Sequence, residues 1–249
     1  MSKQLLIYNN AQAVSSQRHL NWSIKSKNDY SFASEANSLP LTAVEFTAAS
    51  EDFPIVFAGK DNQIMPVVVM GMRDNQNLFV TEDGKFDGSY IPAFLRRYPF
   101  VFSSSDDGAN FTLCIDQEFE GCNQDGKGER LFDADGEQTV YLKQVLEFLK
   151  EYQAHFVRTQ GFCSTLNSLG LLEPVGAEIT PSGSEEKIKL GGFMAVNREK
   201  LKAISSEDLA QLFNNDGLEL IYTHLASMRN FSKLVNKMPA VEVKQEDAA

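Results

Sequence analysis

Cysteine and histidine are scarce in this sequence, and each scarcity excludes a class of site. The chain has 249 residues but only three cysteines and three histidines. The cysteines form no CxxC pair, so we expect reduced thiols rather than a disulfide framework. His19, His155 and His224 lie far apart with no HExxH or HxH spacing. The sequence therefore predicts neither a metal site nor a cofactor.

Long apolar runs and basic residues are also few. The longest apolar stretches, such as 65–72, fall well short of the roughly 20 residues that span a bilayer. The apolar run at 5–8 is too short for the core of a signal peptide. With 23 basic and 34 acidic residues, the net charge of −11 repels nucleic-acid phosphates. These features predict no transmembrane segment, no nucleic-acid partner and a cytoplasmic location.

Motifs for phosphate binding, nucleophilic hydrolysis and calcium binding fail in turn. The sequence contains no GxxxxGK[ST], GxGxxG or GxSxG. DADG at 133–136 resembles part of an EF-hand loop, but placing its glycine at position six puts Leu131 and Leu142 where the essential carboxylates belong. Turn formation is the better interpretation of this segment.

Hydropathy and turn residues predict one α+β domain over residues 1–238, with a largely antiparallel sheet flanked by helices, and a disordered charged tail at 239–249. Strands are predicted at 5–8, 55–57, 65–72, 78–80, 100–102, 111–115, 175–180 and 187–196. Helices are predicted at 41–50, 90–98, 140–160, 206–213 and 217–228. The runs at 55–57, 65–72 and 78–80 favour a meander. Gly191 with Gly192 inside a strand favours a bulge or a close backbone approach over a ligand site.

The most unusual window is YIPAFLRRYPFVF at 90–102, in which two adjacent arginines lie among aromatic and proline residues. Adjacent helix residues point about 100° apart, so only one of Arg96 and Arg97 can easily face the core. A buried arginine needs a partner, and both a structural ion pair and an arginine that binds an anion or a protein partner remain open. The candidate binding residues are Tyr90, Arg96, Arg97, Tyr98 and, outside the window, His19; no catalytic residue is assigned.

Several segments form a recognisable pattern together with His19. They are AVEF at 43–46, FPIVFAG at 53–59, NLFV at 77–80, YIPAFLRRYPF at 90–100, LFDADG at 131–136, GGFMAVNREKL at 191–201 and HLASMRN at 224–230. The pattern resembles the bacterial SapC family over most of the chain, and YIPAFLRRYPF is its most specific part. The resemblance implies an accessory role, since members of the family neighbour genes for halogenase-like proteins and TonB-dependent receptors. The family name comes from a surface-layer association, and the resemblance supplies no catalytic residues.

Three hypotheses follow. The first is a cytoplasmic accessory or interaction protein whose recognition surface surrounds Tyr90, Arg96, Arg97 and Tyr98. The second is a small-molecule enzyme that uses His19 as acid or base and one of the arginines as an anion anchor, which requires these side chains to meet in one pocket. The third is a surface-layer component exported without a signal peptide. The sequence makes no prediction of oligomeric state.

Overall fold

The computed structural model describes residues 6–104, 110–179 and 187–238. It contains antiparallel sheets flanked by helices, with 39% helix and 23% strand, which confirms the predicted α+β class. The strands are β1 (Ala11–Ala13), β2 (Ser23–Ile24), β3 (Ser38–Pro40), β4 (Ile55–Ala58), β5 (Met65–Val69), β6 (Phe100–Ser104), β7 (Phe111–Asp116), β8 (Cys122–Asn123), β9 (Glu129–Arg130), β10 (Leu172–Ile179) and β11 (Ile188–Val196). The helices are α1 (Ser16–His19), α2 (Phe46–Ala49), α3 (Ala93–Arg96), α4 (Val140–Ser168), α5 (Arg198–Lys202), α6 (Ser206–Asn214), α7 (Gly217–Ser227) and α8 (Phe231–Lys237). The tail predicted at 239–249 lies outside the described residues.

The largest sheet has five strands in the order β10-β11-β4-β5-β3, and every neighbouring pair is antiparallel. The other two sheets have three strands each, in the orders β1-β7-β6 and β8-β2-β9. Met194 pairs with Phe57, which joins the C-terminal hairpin to β4. The β10–β11 register shifts between Val175 and Ala177, and Gly192 on β11 has a φ of +83°. The bulge predicted at the glycine pair is therefore present.

The long helix α4 extends eight residues past its predicted end, from residue 160 to Ser168. It begins at Thr139, whose hydroxyl accepts the N–H of Leu142. It ends where Gly170 adopts a φ of +64°, the left-handed conformation common after helix C-termini. Leu142 near its start and Leu166 near its end lie in different apolar clusters, so this helix connects two parts of the core.

Two strand predictions are wrong because side chains redirect the backbone. In the described part of 5–8 the chain makes a turn, the Tyr8 hydroxyl donates to the carbonyl of Phe100 at 2.7 Å, and pairing begins only at β1. The run at 78–80 forms one isolated bridge, because the Asn77 side chain holds the N–H of Phe79 and the carbonyl of Ala33. The third strand of the predicted meander is therefore replaced by β3, which pairs with β5.

Three polar side chains from the C-terminal helices hold the start of β4. His224 Nδ1 lies 2.7 Å from the carbonyl of Ile55, and Ser227 Oγ accepts the N–H of Ile55 at 2.9 Å. Asn230 donates to the carbonyl of Phe53 at 3.1 Å. These residues belong to HLASMRN and FPIVFAG. The polar groups of the two segments therefore hydrogen-bond to each other and stabilise the fold.

Candidate functional site

The buried carboxylate of Glu45 determines where α3 begins. One of its oxygens accepts the N–H of Ala93 at 2.7 Å and the hydroxyl of Tyr90 at 2.8 Å. The other accepts the N–H and the hydroxyl of Thr42, at 2.9 and 2.7 Å. The carboxylate is thus saturated by four donors. It fixes the first N–H of α3, immediately after Pro92, relative to the segment that contains Glu45.

The two adjacent arginines point in different directions, as the helix spacing predicts. Arg97 is only 5% exposed, and its guanidinium lies over the rings of Phe94 at 4.1 Å and Tyr152 at 5.0 Å. These aromatic faces stabilise the buried cation. Arg96 is exposed. Burial thus places Arg97 in the core, in contact with aromatic rings, and leaves Arg96 as the exposed arginine that can meet a ligand.

Arg96 lies at the rim of a groove with a volume of about 420 Å³, which we name the aromatic groove. Six half-buried rings line it: Tyr30, Phe32, Tyr98, Phe119, Tyr141 and Phe148. Phe32 stacks on Tyr98 with centroids 4.0 Å apart and planes 18° apart. Phe119 meets Tyr98 edge-on at 5.4 Å. The first turns of α4 supply the opposite wall, through Tyr141 and Phe148.

The charged side chains that line the aromatic groove differ in their partners. Lys27 forms an ion pair with Glu120. Asp29 accepts hydrogen bonds from Ser31, which lower the pKa of its carboxyl. Arg96 takes part in none of the ion pairs formed among the described residues. Within the described residues, the groove therefore has a cation, Arg96, that no carboxylate pairs with.

The hydroxyl of Tyr98 contacts a buried carboxylate, that of Asp116. The hydroxyl lies 3.5 Å from Asp116, which is fully buried and accepts the N–H groups of Asn9, Asn10 and Glu118 at 2.8, 3.0 and 3.1 Å. Burial, together with the charge of Asp116, raises the pKa of Tyr98 well above its ordinary value. The hydroxyl therefore stays protonated at neutral pH, within reach of the Asp116 carboxylate.

His19 lies apart from the other candidate residues. It is fully buried, with its ring edge-on to Trp22 at 4.9 Å and its Nε2 at 3.3 Å from the side-chain nitrogen of Gln117. Burial lowers its pKa. His19 is not among the residues described as lining the aromatic groove. The structure thus does not bring His19 and Arg96 into one pocket, and the second hypothesis loses the geometry it requires.

Tyr90 joins the arginine to the core without lining the groove itself. Its hydroxyl accepts a hydrogen bond from Arg96 Nη2 at 3.3 Å while donating to Glu45. Burial, and then the neighbouring carboxylate, raise the pKa of Tyr90 to about 12. Among the candidates in the window at 90–102, Arg96 is therefore exposed, Arg97 is buried, and Tyr90 and Tyr98 are half-buried.

Most of the aromatic rings of the groove lie outside the window that sequence reasoning selected. Tyr30, Phe32 and Phe119 belong to none of the motifs found in the sequence. Tyr141 and Phe148 are seven residues apart and share a helix face next to the buried stripe of α4. That spacing was the one available signal for this wall.

Residues 6–104, 110–179 and 187–238 contain no group of three or more histidine, cysteine, aspartate or glutamate residues placed to hold a metal ion. None of the helices in these ranges is both long and apolar enough to cross a bilayer.

The family model for SapC matches residues 14–234, which is most of the chain. No curated protein and no solved structure matches the chain.

Proposed function

The chain belongs to the SapC family, and we propose that it is a bacterial accessory protein that holds an extended segment of a partner protein in the aromatic groove. The observation that carries the proposal is the groove itself, where six half-buried rings surround about 420 Å³ beside the exposed Arg96. Aromatic faces that line a groove bind proline and aromatic side chains of extended segments.

The shape of the site favours a segment over a compact metabolite. A second cavity of about 190 Å³ shares Phe32, Tyr98 and Phe119 with the aromatic groove and continues past them to Asn9 and Glu118. The two cavities therefore adjoin at these three rings and together offer a longer surface than either cavity alone. The acid or base of the enzyme hypothesis, His19, is fully buried and lines neither cavity.

Cytoplasmic location is part of the proposal, and the first partners to test are the halogenase-like and TonB-receptor-linked proteins implied by the family resemblance. We expect cell fractionation to recover the protein with cytosolic markers and protected from protease added to intact cells. The surface-layer alternative predicts a protease-sensitive pool on intact cells. Finding most of the protein in that pool would reject the cytoplasmic assignment.

Site-specific photo-crosslinking tests the segment-binding function in living cells. Gln144 is exposed and lines the aromatic groove, so a photoreactive residue placed there is expected to crosslink a partner protein. Mass spectrometry of the adduct should locate the link in one extended segment rich in aromatic or proline residues. The substitution Arg96→Ala, at the rim of the groove, should weaken the adduct.

The matched control places the same photoreactive residue at Lys150, which is exposed on α4 but does not line the aromatic groove. We expect no adduct with the same partner from this position. Equal crosslinking from positions 144 and 150 would mean that the partner, if any, binds elsewhere, and the proposed function would then be wrong.

A further inference from the structure

The guanidinium of Arg96 is held in one orientation by neighbours on three sides. Its Nε donates to the carbonyl of Ile91 at 3.1 Å, and its Nη2 donates to the hydroxyl of Tyr90 at 3.3 Å. The centre of the guanidinium also lies 5.5 Å from the ring centroid of Phe148. An exposed arginine ordinarily samples many rotamers, so these contacts remove much of the entropy cost of ordering it on a ligand.

The buried carboxylate of Glu45 fixes the direction of this arrangement. Because the Tyr90 hydroxyl donates its only hydrogen to Glu45, its oxygen can only accept from Arg96. Glu45 in turn is locked by Thr42 and Ala93. A chain of hydrogen bonds therefore runs from the core to the rim of the groove.

The donors that Arg96 keeps free match a single carboxylate. A guanidinium has five N–H groups, and two of them are used by Ile91 and Tyr90, so three remain. Two N–H groups on one guanidinium edge bind the two oxygens of a carboxylate in parallel. A phosphate dianion would be served less well, since Lys27 is already paired with Glu120 and the negative charge of Asp29 repels a dianion more strongly than a single carboxylate.

We infer that Arg96 binds the carboxylate of one aspartate or glutamate in the partner segment, with Tyr90 as the positioning residue that Glu45 orients. This inference rests on the proposed function and names the chemistry that the groove recognises. The net charge of −11 and the side chain of Glu118 in the adjoining cavity disfavour further acidic residues in the segment. The preferred segment thus has one acidic residue beside aromatic or proline residues and is otherwise neutral or basic.

Selection from a random twelve-residue peptide library displayed on phage, with the full chain as bait, tests the inference. We expect enriched peptides to share one acidic residue next to aromatic or proline residues, and to lose binding when that residue becomes its amide. Enrichment of groove-dependent peptides with no acidic residue would overturn the carboxylate inference and leave the proposed function standing. Enrichment only of peptides that bind equally well after Phe119→Ala and Arg96→Ala would overturn both.

A double-mutant cycle on a selected peptide tests the role of Tyr90. Arg96→Ala should weaken binding about 30-fold, in the range for hydrogen bonds to charged groups, and Arg96→Lys about fivefold because the fork is lost while the charge is kept. Tyr90→Phe keeps the ring and should weaken binding about fivefold in the wild-type background but less than about twofold beside Arg96→Ala. Equal effects of Tyr90→Phe in both backgrounds would show that Tyr90 does not act through Arg96.

Discussion

Replacing Glu45 with alanine is expected to lower the free energy of unfolding by about 4 kcal/mol, because a buried donor that loses its partner costs about 1–3 kcal/mol. Glu45 is 4% exposed and accepts hydrogen bonds from Thr42, Tyr90 and Ala93. For a chain of this length the corresponding fall in Tm is roughly 8–16 °C. Urea unfolding at neutral pH, followed by circular dichroism, measures the difference directly.

The matched control is Glu82→Ala, which removes the same side chain from an exposed position. It should change the free energy of unfolding by no more than about 0.5 kcal/mol. Glu45→Gln keeps the shape but presents an amide N–H₂ to one set of donors, so a loss of about 2 kcal/mol is expected. If the free energy of unfolding of Glu45→Ala lies within about 1 kcal/mol of that of the control, the carboxylate does not hold α3 in place.

That one of Arg96 and Arg97 is exposed and the other buried could be predicted from the sequence, because the difference follows from the geometry of a single helix. A helical step of about 100° separates two adjacent side chains, so one arginine had to leave the core. Which one is buried depends on the rings of Phe94 and Tyr152, and Tyr152, on α4, lies more than fifty residues further along the chain. Helix and strand periodicity predicts local conformation but contains no information on such distant partners.

The aromatic groove could not be predicted from the sequence, because it too depends on contacts between residues far apart in the chain. Its rings come from four separate stretches of the chain, from Tyr30 to Phe148, and the folded chain brings them together.

The strand predicted at 78–80 is absent for a local reason. The apolar pattern there is typical of a strand, but Asn77 competes for the backbone hydrogen bonds and turns the chain.

His224 is expected to make the fold sensitive to acid below about pH 6.5. It is fully buried, its Nε2 accepts the N–H of Val196 at 3.1 Å, and its Nδ1 therefore carries the hydrogen donated to Ile55. A second proton on Nε2 would point at the N–H of Val196. Burial accordingly lowers the pKa of His224 from 6.5 to about 4.

The sign of the effect follows from this depressed pKa. As the pH falls, the unfolded chain binds the proton first, so the contribution of His224 to stability is complete above about pH 6.5 and is lost towards pH 4. A difference of this size corresponds to about 3 kcal/mol. His19, whose pKa is also lowered by burial, adds a loss in the same direction. Urea unfolding at several pH values between 7.5 and 4.5 measures the combined slope.

The variant His224→Gln separates the two histidines, because glutamine does not titrate. It should be less stable than the wild type at pH 7.5, since one side chain can no longer serve both Ile55 and Val196. Its stability should nevertheless fall less steeply with acid, and the two curves should converge near pH 4.5. Parallel curves would mean that His224 stays neutral, or is released to solvent, at no cost to the fold. A flattened curve would show that the same histidine that joins α7 to β4 and β11 also sets the acid limit of the protein.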